Sequence, residues 1–206
     1  MKKAFCVILA LLLTSAAYAA GPTLEIAGEV IPADPSTYTE GDVISVDVPR
    51  SSWVVVNPYG LEVVRDGIVS TEQIVSPVTV LENQSAVPVQ VDARAVGTAA
   101  AGSAAVFVTA APAPGAQEKE VFLFLEFQPF LGSGTLWNGV FSDGPNQLAV
   151  TGAEKQGLLT LEAGGRGAMQ VFGAAAEAPA VPWTAADTVN VTVAFTFSAA
   201  DHGEMS

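Results

Sequence analysis

Apolar side chains alternate with small or polar ones at a period of two in several segments of this sequence. The alternation is clearest in DTVNVTVAFTFSA, residues 187–199, where the apolar positions are Val189, Val191, Val193, Phe195 and Phe197. Successive side chains of a β-strand point to opposite faces of a sheet, so this pattern predicts a strand with one face in the core and one in solvent. AVPVQVDARAV (86–96) and DVISVDV (42–48) repeat the pattern.

A second kind of segment is apolar at both phases of the alternation. EVFLFLEFQ, residues 120–128, predicts a central strand buried on both faces, because Phe122 and Phe124 fill the positions that would otherwise be polar. Pro77 and Pro88 favour an edge or a bulge for their strands, since proline has no N–H for the ladder. Further strands are expected in TLEIAGEVI (23–31), SWVVV (52–56), LEVVR (61–65), IVSPVTVL (74–81), AAVFVTA (104–110), QGLLTLEA (156–163) and GAMQVF (167–172).

About ten short strands with turn residues between them, and no amphipathic helix, predict an all-β chain. We expect an antiparallel β-sandwich, immunoglobulin-like or jelly-roll-like, that occupies residues 20–206 as one domain.

The chain begins with MKKAFCVILALLLTSAAYAA, which has the basic start, apolar run and small residues of a secretory signal. Ala17 and Ala19 suit the positions three before and one before a cut, so residues 1–19 are predicted as the signal peptide. Cys6 lies early in the apolar run, which disfavours a lipid anchor. No later apolar run of about twenty residues occurs. We therefore expect no membrane span in the mature chain, and a secreted, extracellular or cell-surface location.

Charge and residue types disfavour several functions. The signal removes Lys2 and Lys3, so six of the eight Lys and Arg remain against 21 Asp and Glu, a formal charge of −15. Such a surface repels phosphate backbones, and nucleic acid is not expected as a partner. Cys6 leaves with the signal and His202 is the only histidine, so we expect no metal, no cofactor and no catalytic relay.

The remaining acidic and glycine-rich motifs are given structural roles. Glu118, Glu120 and Glu126 lie on or beside one strand, and we interpret them as solubility and edge charges rather than a calcium site or a glycosidase pair. EAGGRGAM, residues 162–169, lacks the Gly-Lys-Ser/Thr ending of a phosphate loop and predicts a turn between strands at Gly164 and Gly165.

The stretch SSWVVVNPYGLEVVRDG, residues 51–67, predicts a meander of strands and corners. NPYG (57–60) fits a type I turn position by position, and Asp66-Gly67 suits a tight hairpin turn. We expect Trp53 and Leu61 to face the core, with Tyr59 at the tip of the first turn.

Aromatic residues at strand and loop boundaries supply the candidate partner contacts, which are Tyr59, Trp137 and Trp183. Half-buried tryptophans commonly close the rim of a core, and we favour that role. A sugar-stacking platform is the alternative, and it requires the indole rings to lie together on one exposed face.

The segments ISVDVPRSSWVVVNPYGLEV, VLENQSAVPVQVDARAV and DTVNVTVAFTF, following a signal peptide, resemble uncharacterised secreted β-sandwich surface proteins of Gram-positive, clostridia-like bacteria. The layout is also similar to that of WxL-type wall-associated proteins. TLWNGV around Trp137 lacks their paired Trp-x-Leu motif, so no functional residue is carried over.

Export, strand-rich composition and the lack of a catalytic set predict a non-catalytic surface or extracellular-matrix protein that associates through sheet edges, as a filament or wall-associated subunit. GPTLEIAGEVI, which follows the cut, either completes the sheet of a neighbouring molecule or pairs within its own domain. The alternative function is a carbohydrate- or peptide-binding module, with a cell-wall or glycan partner.

Overall fold

The computed structural model describes residues 23–28 as backbone and residues 44–131 and 137–200 in full. The predicted signal peptide and His202 lie outside these residues. The described residues contain no helix, which confirms the all-β class. Their strands are β1 (Thr23–Gly28), β2 (Val46–Asp47), β3 (Ser51–Trp53), β4 (Val55–Val56), β5 (Val63–Arg65), β6 (Ile68–Ser70), β7 (Ile74–Val75), β8 (Thr79–Asn83), β9 (Val89–Ala99), β10 (Ala105–Phe107), β11 (Lys119–Pro129), β12 (Gln147–Ala149), β13 (Glu154–Leu161), β14 (Arg166–Ala175) and β15 (Val189–Ala199).

Two large sheets share the core. The first sheet has the order β13-β9-β15-β1-β3, and the second has the order β10-β11-β14-β8-β2, with β12 also paired to β11. Buried residues of both sheets, such as Val193 and Phe195 from the first and Leu125 and Phe127 from the second, form one hydrophobic cluster. This arrangement is consistent with a sandwich-like fold.

The two clearest sequence patterns are confirmed. Along β15, buried and exposed side chains alternate from Val189 to Thr196, as the period of two predicts. Along β11, every residue from Val121 to Phe127 is buried, and the strand lies inside its sheet rather than at an edge.

The expectation of a purely antiparallel sandwich is wrong in two places. β1 runs parallel to β15, with Leu24 opposite Val191, and it also pairs antiparallel with β3. β10 runs parallel to the start of β11. The segment after the predicted cut therefore pairs within its own chain, as the second of the two alternatives for it expects.

The expected edge or bulge is wrong for the strand of Pro88, whereas β7, beside Pro77, pairs only with β4 among the described strands and so lies at an edge. Neither proline lies within a strand. Pro88 immediately precedes β9, which lies between β13 and β15. Pro77 falls between β7 and β8, which belong to different sheets. Each proline ends or precedes a ladder, where its missing N–H costs nothing.

The glycine turn after β13 is confirmed, and it has a larger role than a hairpin. The Gly165 N–H donates to the Glu162 carbonyl at 2.8 Å, and Gly164 has a φ of 66°. Because β13 belongs to the first sheet and β14 to the second, this turn carries the chain across the core.

A buried asparagine holds this crossing in place. Asn83, at the end of β8, is fully buried, and its side-chain amide donates to the carbonyls of Leu161 at 3.1 Å and Glu162 at 2.9 Å. The same amide donates to Val87 O at 2.9 Å, and its oxygen accepts the Ser85 N–H at 2.8 Å. One side chain thus ties the end of β8 to the end of β13.

A buried ion pair joins the two sheets at another point. Lys119 Nζ lies 2.6 Å from Asp187 Oδ2, and the two side chains are 6% and 3% exposed. Asp187 also accepts hydrogen bonds from the Ala104 N–H and from the N–H and hydroxyl of Thr184. Burial raises the pKa of the Asp187 carboxyl, but these hydrogen bonds outweigh it, so the pKa lies well below its ordinary value of 3.8.

Replacing Asn83 is expected to destabilise the fold strongly. Asn83→Ala leaves buried carbonyls and the Ser85 N–H without their partner, which costs about 2–3 kcal/mol of the unfolding free energy. The control is Gln84→Ala, because Gln84 is the exposed neighbour and a surface change of this kind costs about 0.5 kcal/mol or less. Urea unfolding measures both. Equal midpoints for the two variants would contradict the role given to Asn83.

Asp187 is expected to make stability depend on acid pH. Its folded pKa is depressed, so its contribution is full above the ordinary carboxyl pKa of 3.8 and is lost as the pH falls below it. Asp187→Asn leaves Lys119 buried without a counter-charge, which costs about 3 kcal/mol at neutral pH. The difference from the parent protein should shrink below about pH 4.

The control for this change is Asp66→Asn, because Asp66 is exposed and lies in a positive-φ turn that asparagine also tolerates. Unfolding free energies measured from pH 2 to 7 check the prediction. A gap between Asp187→Asn and the parent that stays constant over that range would refute it.

Candidate binding surface

Residues 55–75 form one hairpin arm, made of two strand pairs in succession. At its base, β4 pairs with β7, with Val55 opposite Val75. At its end, β5 pairs with β6, with Val64 opposite Val69. We call the β5–β6 pair the tip hairpin.

A buried asparagine closes the arm between the two pairs. Asn57 is buried, and its amide donates to the carbonyls of Leu61 at 2.7 Å and Glu72 at 3.0 Å, while its oxygen accepts the Leu61 N–H. The Asn57 N–H donates to Gln73 O at 2.7 Å. The turn predicted at 57–60 is confirmed by the 3.1 Å hydrogen bond from Gly60 N–H to Asn57 O. The side chain of Asn57, the first residue of the turn, also joins Leu61 to Glu72 by hydrogen bonds, an arrangement that we call the Asn57 clasp. The turn pattern alone did not indicate it.

The tip hairpin has an unusual distribution of side chains. Asp66 and Gly67 have φ values of 49° and 82°, as a tight hairpin turn requires. Arg65 faces the body of the protein, with its guanidinium 4.7 Å from the centre of the Trp53 ring. Val64 and Val69 face outward and are 68% and 64% exposed. Leu61, which we expected to face the core, is exposed as well, because its backbone is held by the Asn57 clasp.

Two of the candidate contact residues touch each other. The Tyr59 hydroxyl accepts a hydrogen bond from the backbone N–H of Trp183 at 3.1 Å, and Tyr59 is half-exposed. The Trp183 indole donates to Ala176 O at 2.7 Å, and its ring packs against the hydrophobic core. Trp183 therefore has the rim-closing role that the sequence favours, and Tyr59 is the more accessible of the two.

The third candidate, Trp137, belongs to an aromatic cluster on the outer face of β11 and β14. Its ring lies 5.8 Å from that of Phe172, which stacks on Phe124 at 5.7 Å. Phe141 contacts Phe122 at 5.1 Å and Phe124 at 5.2 Å. The segment 137–141 thus covers the second face of β11, which explains the burial of Phe122 and Phe124.

A buried carboxylate fixes that covering segment. Glu126 is 1% exposed and accepts hydrogen bonds from the backbone N–H groups of Asn138 and Gly139, both at 3.1 Å. The Gln128 amide donates to it at 2.6 Å. The expectation that Glu126 is a surface charge is wrong, because its position on β11 is in phase with Phe122 and Phe124 and lies under the same cover.

Two concavities lie on either side of the covering segment and share Gly139 and Gly173. The first, which we call the Trp137 cleft, has a volume of about 360 Å³ and lies between the tip hairpin and Trp137. The second, the apolar groove, has a volume of about 450 Å³ and is lined by residues such as Ala110, Phe124 and Val140. Trp137 and Trp183 border different parts of the surface and do not form one stacking platform.

The Trp137 cleft is polar and acidic. Its floor is Gln170 and Phe172 on β14, and its hairpin wall carries Ser70 and Glu72. Among the described residues that line it, Glu72 is the only charged one. No group of three His, Cys, Asp or Glu residues that could hold a metal ion occurs in the described ranges.

Removing the Glu126 carboxylate is expected to loosen the covering segment. In Glu126→Ala the N–H groups of Asn138 and Gly139 lose their acceptor, so amide hydrogen exchange in the peptide 137–141 should quicken about tenfold or more. Glu126→Gln keeps one acceptor oxygen, so its exchange rate in the same peptide should lie between those of the parent protein and Glu126→Ala. The control is Glu118→Ala, since Glu118 is exposed beside the same strand.

Hydrogen exchange followed by mass spectrometry measures these rates. Unchanged exchange of that peptide in Glu126→Ala would mean that the aromatic contacts hold the segment without the carboxylate.

The part of the chain that the structure describes has no helix of the length and apolarity needed to cross a membrane. Comparisons with known proteins find no family model, no curated protein and no solved structure that matches this chain.

Proposed function

We propose that this protein is a non-catalytic, secreted bacterial surface or extracellular-matrix protein that associates with further copies of itself through sheet edges. The observation that supports association best is the outward apolar face of the tip hairpin. The signal sequence and the resemblance to secreted Gram-positive surface proteins support the location. The finer fold in this proposal is an immunoglobulin-like or jelly-roll-like sandwich.

The tip hairpin lies over the protein body and carries apolar side chains on both of its faces. In such a hairpin the apolar side chains normally face inward and the polar ones outward. Here the half-buried Val63 and Ile68 share the inner face with Arg65. The outer face carries Val64 and Val69, which lie directly opposite each other and are exposed. An exposed cross-strand pair of this kind gains free energy when a partner covers it.

The open edges of the tip hairpin provide the hydrogen-bonding groups for association. Among the described strands, β5 and β6 pair only with each other, so each has one edge with unpaired backbone groups. Such an edge is a template for another strand. Pairing of one edge with the same edge of a second copy gives a two-fold dimer, and use of both edges allows growth into a filament.

The charge of the chain opposes association at low ionic strength. Glu62, Asp66 and Glu72 are all exposed on or beside the tip hairpin, and the mature chain carries a formal charge of −15. Salt screens repulsion between such copies, with a Debye length of about 8 Å at physiological ionic strength. Association should therefore strengthen as salt is added.

The proposal is tested with protein secreted by a Gram-positive host, whose N-terminal sequence should begin at Ala20. Sedimentation velocity at increasing protein and salt concentrations should show assembly of the parent protein. The double change Val64→Glu and Val69→Glu should abolish it, because it places charges in the apolar contact. The matched control is Val181→Glu, since Val181 is 64% exposed in a loop and should leave assembly unchanged.

A parent protein that stays monomeric at every concentration and salt would overturn the proposal. Assembly that survives the double change would remove the tip hairpin as the contact. Deletion of residues 20–31 then tests the remaining edge mechanism, exchange of β1 between copies, because it removes β1.

A further inference from the structure

We propose that the Trp137 cleft is a binding site for a short segment of a neutral glycan. The site is separate from the outer face of the tip hairpin, so it goes beyond self-association. Its walls are the inner face of the tip hairpin on one side and the segment from Trp137 to Gly139 on the other. The volume of about 360 Å³ is in the range of small-molecule sites.

Trp137 is fixed in position before any ligand arrives. Its ring rests on Phe172 at 5.8 Å, and the next two residues are anchored by the buried Glu126 carboxylate at 3.1 Å each. Trp137 is half-buried and lines the cleft. A preformed aromatic wall lowers the entropic cost of binding a flexible ligand such as a sugar chain.

The polar groups of the cleft match the hydroxyl-rich edges of a sugar ring. The Ser70 hydroxyl accepts the Glu72 N–H at 3.1 Å, so its own hydrogen remains for donation. Glu72 supplies carboxylate acceptors. Asn138 and Gln170 supply amide oxygens, while their amide nitrogens donate to the carbonyls of Val140 at 3.4 Å and Ser76 at 3.0 Å. A sugar ring combines an apolar face with polar edges, and a cleft with one tryptophan and several small polar groups is complementary to both.

The charge of the cleft favours neutral glycans over anionic ones. The cleft is lined by Glu72 without a Lys, Arg or His among its described residues, and the whole chain is strongly acidic. Phosphate- or carboxylate-bearing polymers would be repelled, because like charges at close range cost free energy. Neutral sugars avoid that cost and still use the carboxylate as an acceptor.

The test uses the mature secreted protein on an array of neutral oligosaccharides, including cello-, xylo-, manno- and chito-oligomers, with heparin and poly-lysine as charged probes. We expect binding to at least one neutral family and none to heparin. Trp137→Ala should weaken the affinity for the bound oligomer about tenfold, measured by calorimetry. Trp183→Phe is the control, because Trp183 borders another part of the surface.

A second variant tests the site even if Trp137→Ala does not fold. Glu72 is exposed, so Glu72→Ala should leave the fold intact and weaken binding several-fold, whereas Glu177→Ala, also exposed, should not. The variant Val64→Glu and Val69→Glu should bind normally even if it no longer assembles, which separates this inference from the proposed function. Absence of neutral-glycan binding at high protein concentration, binding of poly-lysine alone, or binding indifferent to both Trp137 and Glu72 would overturn it.

Discussion

The burial of β11 on both faces is the constraint on which the second sheet and its outer surface depend. One face meets the first sheet through residues such as Leu125 and Phe127. The other face carries Phe122 and Phe124, which water would surround unless a further layer covered them. The covering segment and Phe172 supply that layer. The walls of the Trp137 cleft and the apolar groove exist because this second face needs a cover.

Close approach around β11 also requires a particular residue on β14. A Cβ on Gly173 would overlap the carbonyl of Phe122, so only glycine lets the two strands keep their register there. Gly173 lies at the junction of the Trp137 cleft and the apolar groove. Gly173 therefore contributes both to the packing that buries β11 and to the shape of the outer surface.

Buried polar side chains tie distant segments together in the described part of the chain, which has no cysteine. Asn57 holds the hairpin arm, Asn83 holds the crossing between the sheets, and Glu126 holds the covering segment. Asp187 and Lys119 join the starts of β15 and β11. The two asparagines and the two carboxylates each make several hydrogen bonds, which is the condition under which burying such a group does not destabilise the fold.

The sequence predicts the fold best where the pattern that determines a structure lies within one short segment. β15 and β11 follow from their own alternation, and the turns at 57–60 and Asp66-Gly67 follow from local residue types. The burial of Glu126 also had a local signal, since it is in phase with Phe122 and Phe124 on a strand apolar at both phases. The contact between Trp137 and Phe172 had none, because it joins residues far apart in the chain.

The outward direction of Val64 is a further case that local pattern did not determine. In LEVVR, Val63 and Val64 occupy both phases, so either face fits a strand, and the choice depends on Trp53 receiving Arg65 on the inner side. That choice sends Val64 and Val69 outward and places Ile68 and Ser70 beside the cleft. The two proposed surfaces are thus opposite faces of one hairpin.

In the proposed assembly the outer face is covered while the inner face stays open, so copies would present their clefts repeatedly. Weak single contacts with a repeating glycan would then gain strength from multivalency, without any new contact in the cleft itself.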